Sequence, residues 1–158
     1  MSGDEKEIRA MIQSVSDAFA RRDAAAAVAH FSKDVVIFDI PPPLSSRGIP
    51  GNEKATKDYM DATQGPLVCE YSDIHIEVSP GSRIAGGYMF VRLASTLKNG
   101  TKVDWLARVT DIYEKRDGKW WVIHEHASVP VDVTTGRGVY QAPKTTNVGA
   151  EYSDLKKQ

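Results

Sequence analysis

The chain has 158 residues, 41% of them hydrophobic, with 20 Lys and Arg against 21 Asp and Glu for a formal net charge of -1. That length fits one domain with a core of its own, and balanced charge without a basic block argues against a nucleic-acid partner. A single cysteine, Cys69, excludes an internal disulfide, the acidic Met1-Ser2-Gly3-Asp4-Glu5 start is unlike a secretory leader, and no apolar run approaches the roughly 20 residues that span a bilayer. A cytoplasmic protein with no membrane segment is expected.

Ser2 or Asp4 can cap a first helix, with Glu5 or Glu7 closing a capping box, and Ile8, Met11, Ile12, Val15 and Phe19 recur at helical spacing on one buried face. Asp23 caps a second helix over the alanine-rich stretch Ala24 to Phe31. Val35 to Ile40 is β-branched and aromatic and stops at Pro41-Pro42-Pro43, so it reads as a short strand running into a rigid turn. After Gly48, Pro50 and Gly51, Asn52 can cap a third helix from Glu53 to about Thr63, which buries Ala55, Tyr59 and Ala62 and ends at Gly65-Pro66.

From Leu67 the pattern changes to long strands, about Val68 to Val78, Arg83 to Leu97, Lys102 to Lys115 and Lys119 to Val129. Ser79-Pro80-Gly81-Ser82, Lys98-Asn99-Gly100 and Arg116-Asp117-Gly118 supply the turns, and Asn-Gly and Asp-Gly are strong hairpin signals. Helices followed by an antiparallel meander give an α+β fold, with the helices in the concave face of a curved sheet. The domain spans residues 1–130. Residues 131–158, rich in Thr, Gly, Lys and Asn, form an extended or partly disordered C-terminal tail that wraps the domain or a partner subunit.

Three places could carry chemistry. Asp39 is an acid in the apolar run Val-Val-Ile-Phe-Asp-Ile; facing a closed cavity, it would have a raised pKa suited to a general base or acid, whereas facing the turn it would only cap backbone donors. On the last strand, alternation puts His124, His126 and Ser128 on one face and Trp121, Ile123, Glu125 and Ala127 on the other, so both faces can line one cavity only if a bulge intervenes. His124 and His126 could chelate a metal only with further ligands from His30, His75 or a carboxylate, and no metal site is expected from that spacing alone. On the preceding strand Val103, Trp105, Ala107, Val109, Asp111 and Tyr113 share the more apolar face, which makes Asp111 a buried acid in need of a partner such as His126 or Arg108. Phe19, Phe38, Tyr59 and Trp105 would supply apolar walls.

The segment Phe38-Asp39-Ile40-Pro41-Pro42-Pro43-Leu44 with Arg47-Gly48, together with Arg108-Val109-Thr110-Asp111, Lys115-Arg116-Asp117-Gly118-Lys119-Trp120 and His124-Glu125-His126-Ala127-Ser128-Val129-Pro130-Val131-Asp132, resembles the ketosteroid-isomerase-like group of SnoaL-like proteins, in the nuclear-transport-factor-like superfamily. The Asp-Gly-Lys-Trp ending with a later His-x-His-x-Ser also resembles the association domain of calmodulin-dependent kinases, a non-catalytic member of the same fold. The resemblance implies a cone-shaped half-barrel whose mostly antiparallel sheet encloses about three N-terminal helices. It implies a small-molecule pocket, a homodimer through the sheet face, and no cofactor. In ketosteroid isomerases an Asp near the end of the first strand shuttles the proton, and Asp39 falls near that place; the oxyanion hole uses a Tyr and a protonated acid, for which the first helix offers no Tyr and only Asp111 could stand as the acid. The expected function is binding of a small apolar carbonyl compound, with cofactor-independent isomerase, cyclase or dehydratase chemistry carried by Asp39, Asp111 and His126 and substrate contacts from Phe19, Phe38, Tyr59, Trp105, His124 and Glu125. The alternative is a non-catalytic ligand-binding or oligomerisation module.

Overall fold

Helix α1, Gly3–Arg21, starts where the Ser2 hydroxyl accepts the Glu5 N–H at 3.1 Å and ends where Arg22 turns left-handed at φ 57°. In the computed structural model, which describes residues 1–81 and 83–141, the α1 stripe buries Ile8, Met11, Ile12 and Ala18. Both ends of the helix are tethered. Asp4 accepts hydrogen bonds from the Lys115 ammonium and the Trp120 indole, while the Arg22 guanidinium donates to Met60 O at 2.7 Å, Thr63 Oγ1 at 2.8 Å and Gly65 O at 2.7 Å.

Helix α2 covers only Ala24–Ala27, capped by Asp23 through the Ala26 N–H at 3.0 Å. It stops short of the expected Phe31 because Phe31 already opens strand β1, Phe31–Phe38, opposite Val122, whose N–H donates to His30 O at 2.9 Å. Pairing with a distant strand wins over alanine's helix preference. After the short β2, Ser46–Arg47, helix α3 runs Ile49–Ala62 with Pro50 in its first turn. Asn52, expected as its cap, lies inside the helix; its amide donates to Gly48 O at 2.5 Å and its carbonyl accepts from Ser46 Oγ at 2.7 Å.

Four long strands follow: β3 Thr63–Val78, β4 Ile84–Leu97, β5 Lys102–Arg116 and β6 Lys119–Ser128. The six-stranded sheet has the order β2-β1-β6-β5-β4-β3, and every neighbouring pair is antiparallel except β1 and β6. Asp117 and Gly118 both take positive φ, at 50° and 77°, as a tight Asp-Gly hairpin turn requires. The sheet curves around the helices without closing into a barrel, so the architecture is α+β as expected. A small hairpin, β7 Val131–Asp132 with β8 Arg137–Gly138, leads to Tyr140, which stacks on Trp105 at 4.7 Å and accepts the Leu106 N–H at 2.7 Å. The rest of the expected tail, residues 142–158, lies outside the described residues. Among the described residues no helix is long and apolar enough to cross a membrane.

Ile8 is fully buried where α1 meets the sheet, in a cluster with Val35, Ile37, Tyr113 and Trp120. Ile8→Ala is expected to destabilise the protein by about 2–5 kcal/mol, measured as a lower denaturant midpoint with unchanged slope; a loss within experimental error would show that α1 is not part of the cooperative core.

Candidate functional site

Between the three helices and the concave face of the sheet lies a cavity of about 570 Å³. Its apolar walls come from Val15 and Phe19 of α1, Val28 at the end of α2, Ala55 and Tyr59 of α3, and Leu93, Trp105 and Val109 of the sheet. The exposed Pro41–Pro43 turn forms part of its rim. Residues at i and i+2 of a strand share a face, and in β5 this brings Trp105, Ala107, Val109, Asp111 and Tyr113 all to the cavity, as the alternation predicted.

Three acids also reach it, from three adjacent strands or their ends: Asp39, Asp111 and Glu125. Asp111 and Glu125 are direct cross-strand partners in the β5–β6 ladder, and Glu125 is in turn level with Ile37, two residues before Asp39. The carboxyls therefore form a row across the inner face of the sheet. Asp39 is exposed at its outer end, and the Ile40 N–H donates to its Oδ1 at 2.7 Å, which favours the charge; the cavity wall on its inner side desolvates it and raises its pKa. Asp111 is 5% exposed, and desolvation pushes its carboxyl up to about 7 against the opposing hydrogen bond from Tyr113. Glu125 is raised well above the ordinary carboxylate range by desolvation first and then by Asp111 and Asp39. No Lys or Arg lines the cavity among the described residues.

The Asp111 partner expected from His126 or Arg108 is instead the Tyr113 hydroxyl, which donates to Oδ2 at 2.7 Å from two residues along the same strand. Gly87 makes room for it. This glycine lies opposite Asp111 in β4, and a Cβ there would stand 3.1 Å from the Tyr113 ring. Asp111 Oδ1 is buried without a protein partner.

Of the residues singled out in the sequence, Asp39, Asp111, Glu125, Phe19, Tyr59 and Trp105 meet in this cavity. Phe38, His124 and His126 do not line it. Ile37 and Asp39 face inward, so strand alternation sends Phe38 to the outer face, where its ring meets those of His124 and His126 edge-on at 4.8 and 5.8 Å. His124 Nδ1 is spent on Val36 O at 2.8 Å. The β6 faces also need correction: Trp120 and Val122, not Trp121 and Ile123, are buried on the inner side with Glu125 and Ala127. An extra β6 residue between the pairs Ile112–His124 and Tyr113–Val122 changes the phase.

The sequence reading gave no cavity role to Tyr71, Cys69 or His30, all of which line it, and put Tyr113 on the inner face without making it the partner of Asp111. Burial raises the Tyr71 phenol and pushes the Cys69 thiol up to about 12, so this cysteine is no ready nucleophile. The Ser14 hydroxyl donates to Met11 O at 2.7 Å, so it accepts from His30 Nε2 at 2.9 Å, and burial lowers the His30 pKa. No group of three or more His, Cys, Asp and Glu among the described residues could hold a metal ion. Such a site can move protons within an apolar enclosure.

Fold and cavity together define an α+β fold whose curved sheet and helices enclose an acid-lined cavity. The chain belongs to the SnoaL-like domain family, whose model matches residues 8–132. Among solved structures it is similar to an NTF2-like protein of unknown function from Pseudomonas putida KT2440, at 26% identity over 90% of this chain and 99% of that one, with a TM-score of 0.78. It is also similar to a provisionally named calcium/calmodulin-dependent protein kinase II association domain from Xanthomonas campestris, at 24% identity over 80% of this chain and 88% of that one, TM-score 0.65. A third likeness is to a provisionally named scytalone dehydratase from Novosphingobium aromaticivorans DSM 12444, at 16% identity over 91% of each chain, TM-score 0.69. The last two likenesses speak to the fold alone. No curated protein matches the chain.

Because the Asp111 carboxyl titrates at about 7 when folded against 3.8 ordinarily, the folded state binds the extra proton between those values. Stability from this group is present at low pH and is lost as pH rises from about 4 toward 7. Asp111→Asn removes that loss, so its melting temperature relative to the parent should rise between pH 5 and pH 8; a pH-independent difference would contradict the raised carboxyl.

Proposed function

We propose that the protein is a cofactor-independent isomerase, cyclase or dehydratase that acts in the cytoplasm on a small, largely apolar carbonyl compound by general acid–base catalysis. The observation that supports this most is that Asp39 on one side and the Asp111–Glu125 pair on the other face one cavity that holds no lysine or arginine among the described residues. Its volume of about 570 Å³ falls in the range common for small-molecule sites. Asp39, raised by desolvation yet nearest the rim, abstracts a proton beside the substrate carbonyl. A protonated carboxyl of the Asp111–Glu125 pair meets the oxygen as negative charge develops on it. The dehydratase name carried by the Novosphingobium aromaticivorans neighbour is in keeping with this class of chemistry.

Enones, steroids and aromatic carbonyl compounds are the panel to test. Asp39→Asn should leave folding intact and lower turnover of any substrate found by about 10²–10⁴-fold, the usual contribution of a positioned base. Retained turnover would remove Asp39 from the mechanism, and binding without turnover by the parent protein would leave a non-catalytic ligand-binding role.

We also propose a homodimer through the outer sheet face, where Phe38, Tyr88 and Ile112 stay 41%, 58% and 38% exposed. Such an interface should bury about 800 Å² per subunit, giving a dimer mass by light scattering; a monomer at micromolar concentration would refute it.

A further inference from the structure

The Asp111–Glu125 pair is asymmetric, and the asymmetry decides where its proton resides. Two carboxyls directly opposite in neighbouring antiparallel strands have their Cβ atoms about 5 Å apart, and in a cavity whose wall carries no Lys or Arg among the described residues ionising both is costly, so at rest the pair holds a proton. Of the two, Asp111 alone has a donor aimed at it among the described residues. The Tyr113 hydroxyl gives its hydrogen to Asp111 Oδ2, held there by the space that Gly87 leaves, and a donated hydrogen bond favours the ionised form of its acceptor.

We propose that Glu125 carries the proton of the pair and is the general acid of the cavity, with Asp111 the carboxylate opposite it. This rests on the acid–base reading above and assigns the acid that reading leaves open. The other titratable groups lining the cavity agree. Asp39 beyond β1 and Asp111 on β5 are both acids and repel a charge on Glu125, burial raises the Tyr71 phenol and the Cys69 thiol on β3, and burial lowers the pKa of His30. Glu125 is accordingly raised well above the usual range, and Asp111 only to about 7.

The proton balance closes. For a β,γ-unsaturated carbonyl compound, Asp39 takes a proton from the carbon between the carbonyl and the C=C bond, the C–H electron pair forms a C=C bond to the carbonyl carbon, and the C=O π pair moves onto oxygen, which receives the Glu125 proton. The result is a dienol, a protonated Asp39 and a transiently ionised Glu125. Asp39 then returns its proton to the far carbon of the original C=C bond while the dienol hydroxyl gives its proton back to Glu125 and C=O re-forms, so the double bond has moved into conjugation and the protein is unchanged.

The test needs no substrate. Infrared spectra of the wild-type protein in D₂O at about two pH units above the Asp111 titration near 7 should show a carboxylic-acid carbonyl band that shifts when glutamate carboxyls are labelled with ¹³C and stays in place when aspartate carboxyls are labelled. Glu125→Gln should abolish the band and Asp39→Asn should leave it. A band that moves with labelled aspartate, or no band at all, would overturn the assignment. Because the spectrum reads proton position and the Asp39→Asn assay reads turnover, a silent enzyme with the expected band would sink the catalytic reading and leave the proton on Glu125.

Discussion

A β-strand shows every second residue to one face, and β6 has to satisfy two demands on its inner face that this period alone would not meet. Near its start Trp120 and Val122 fill the core against α1. Farther along Glu125 and Ala127 line the cavity. The spacing from Val122 to Glu125 is odd, so the extra residue at the β5–β6 register shift is what lets both pairs face inward. The same device recurs on β3, where Asp73 takes φ 51° at a register shift and Tyr71, Ile74 and Ile76 all pack on the inner side. Losing a rung of the ladder at each place lets one continuous sheet serve as both core and binding wall.

With register set, the electrostatics follow from what the wall omits. Buried acids are ordinarily matched with a cation, and the chain has cations to spare; Lys115, Arg116 and Arg92 are all engaged with acids elsewhere. Inside the cavity, among the described residues, the acids have one another, the His30 imidazole and the phenols of Tyr59, Tyr71 and Tyr113. An unpartnered buried polar atom such as Asp111 Oδ1 costs about 1–3 kcal/mol, a burden a purely structural network would have shed through a neighbouring lysine or an apolar replacement. The cost falls on a central strand, flanked on both sides by long antiparallel neighbours able to bear it.

Much of this was legible in the residues themselves. The stripe from Ile8 to Phe19 and the Asn-Gly and Asp-Gly turns reported α1 and the meander because both signals are local. Asp39 and Asp111 stood out as acids in apolar strands, and Glu125 as a substrate contact on the β6 face opposite the histidines. Alternation alone put His126 opposite Glu125 on β6, and the structure keeps them apart, so the histidines belong with Phe38 on the outer face. What escaped the sequence depends on distant pairing. Tyr113 becomes the partner of Asp111 only because Gly87 is its neighbour across the ladder, and α2 ends early only because Phe31 finds Val122. The faces of Trp120 and Val122 turn on a single extra residue whose position no local pattern marks.

The stacking of Tyr140 on Trp105 reaches beyond the wall it supports. Trp105 lines the cavity, yet its ring is braced by a residue outside the segment that the SnoaL-like family model matches, residues 8–132. The segment that the family model matches thus furnishes the acids and the enclosure, while one wall residue is braced from outside it. Changing Tyr140 would alter the support of the Trp105 wall without altering any acid.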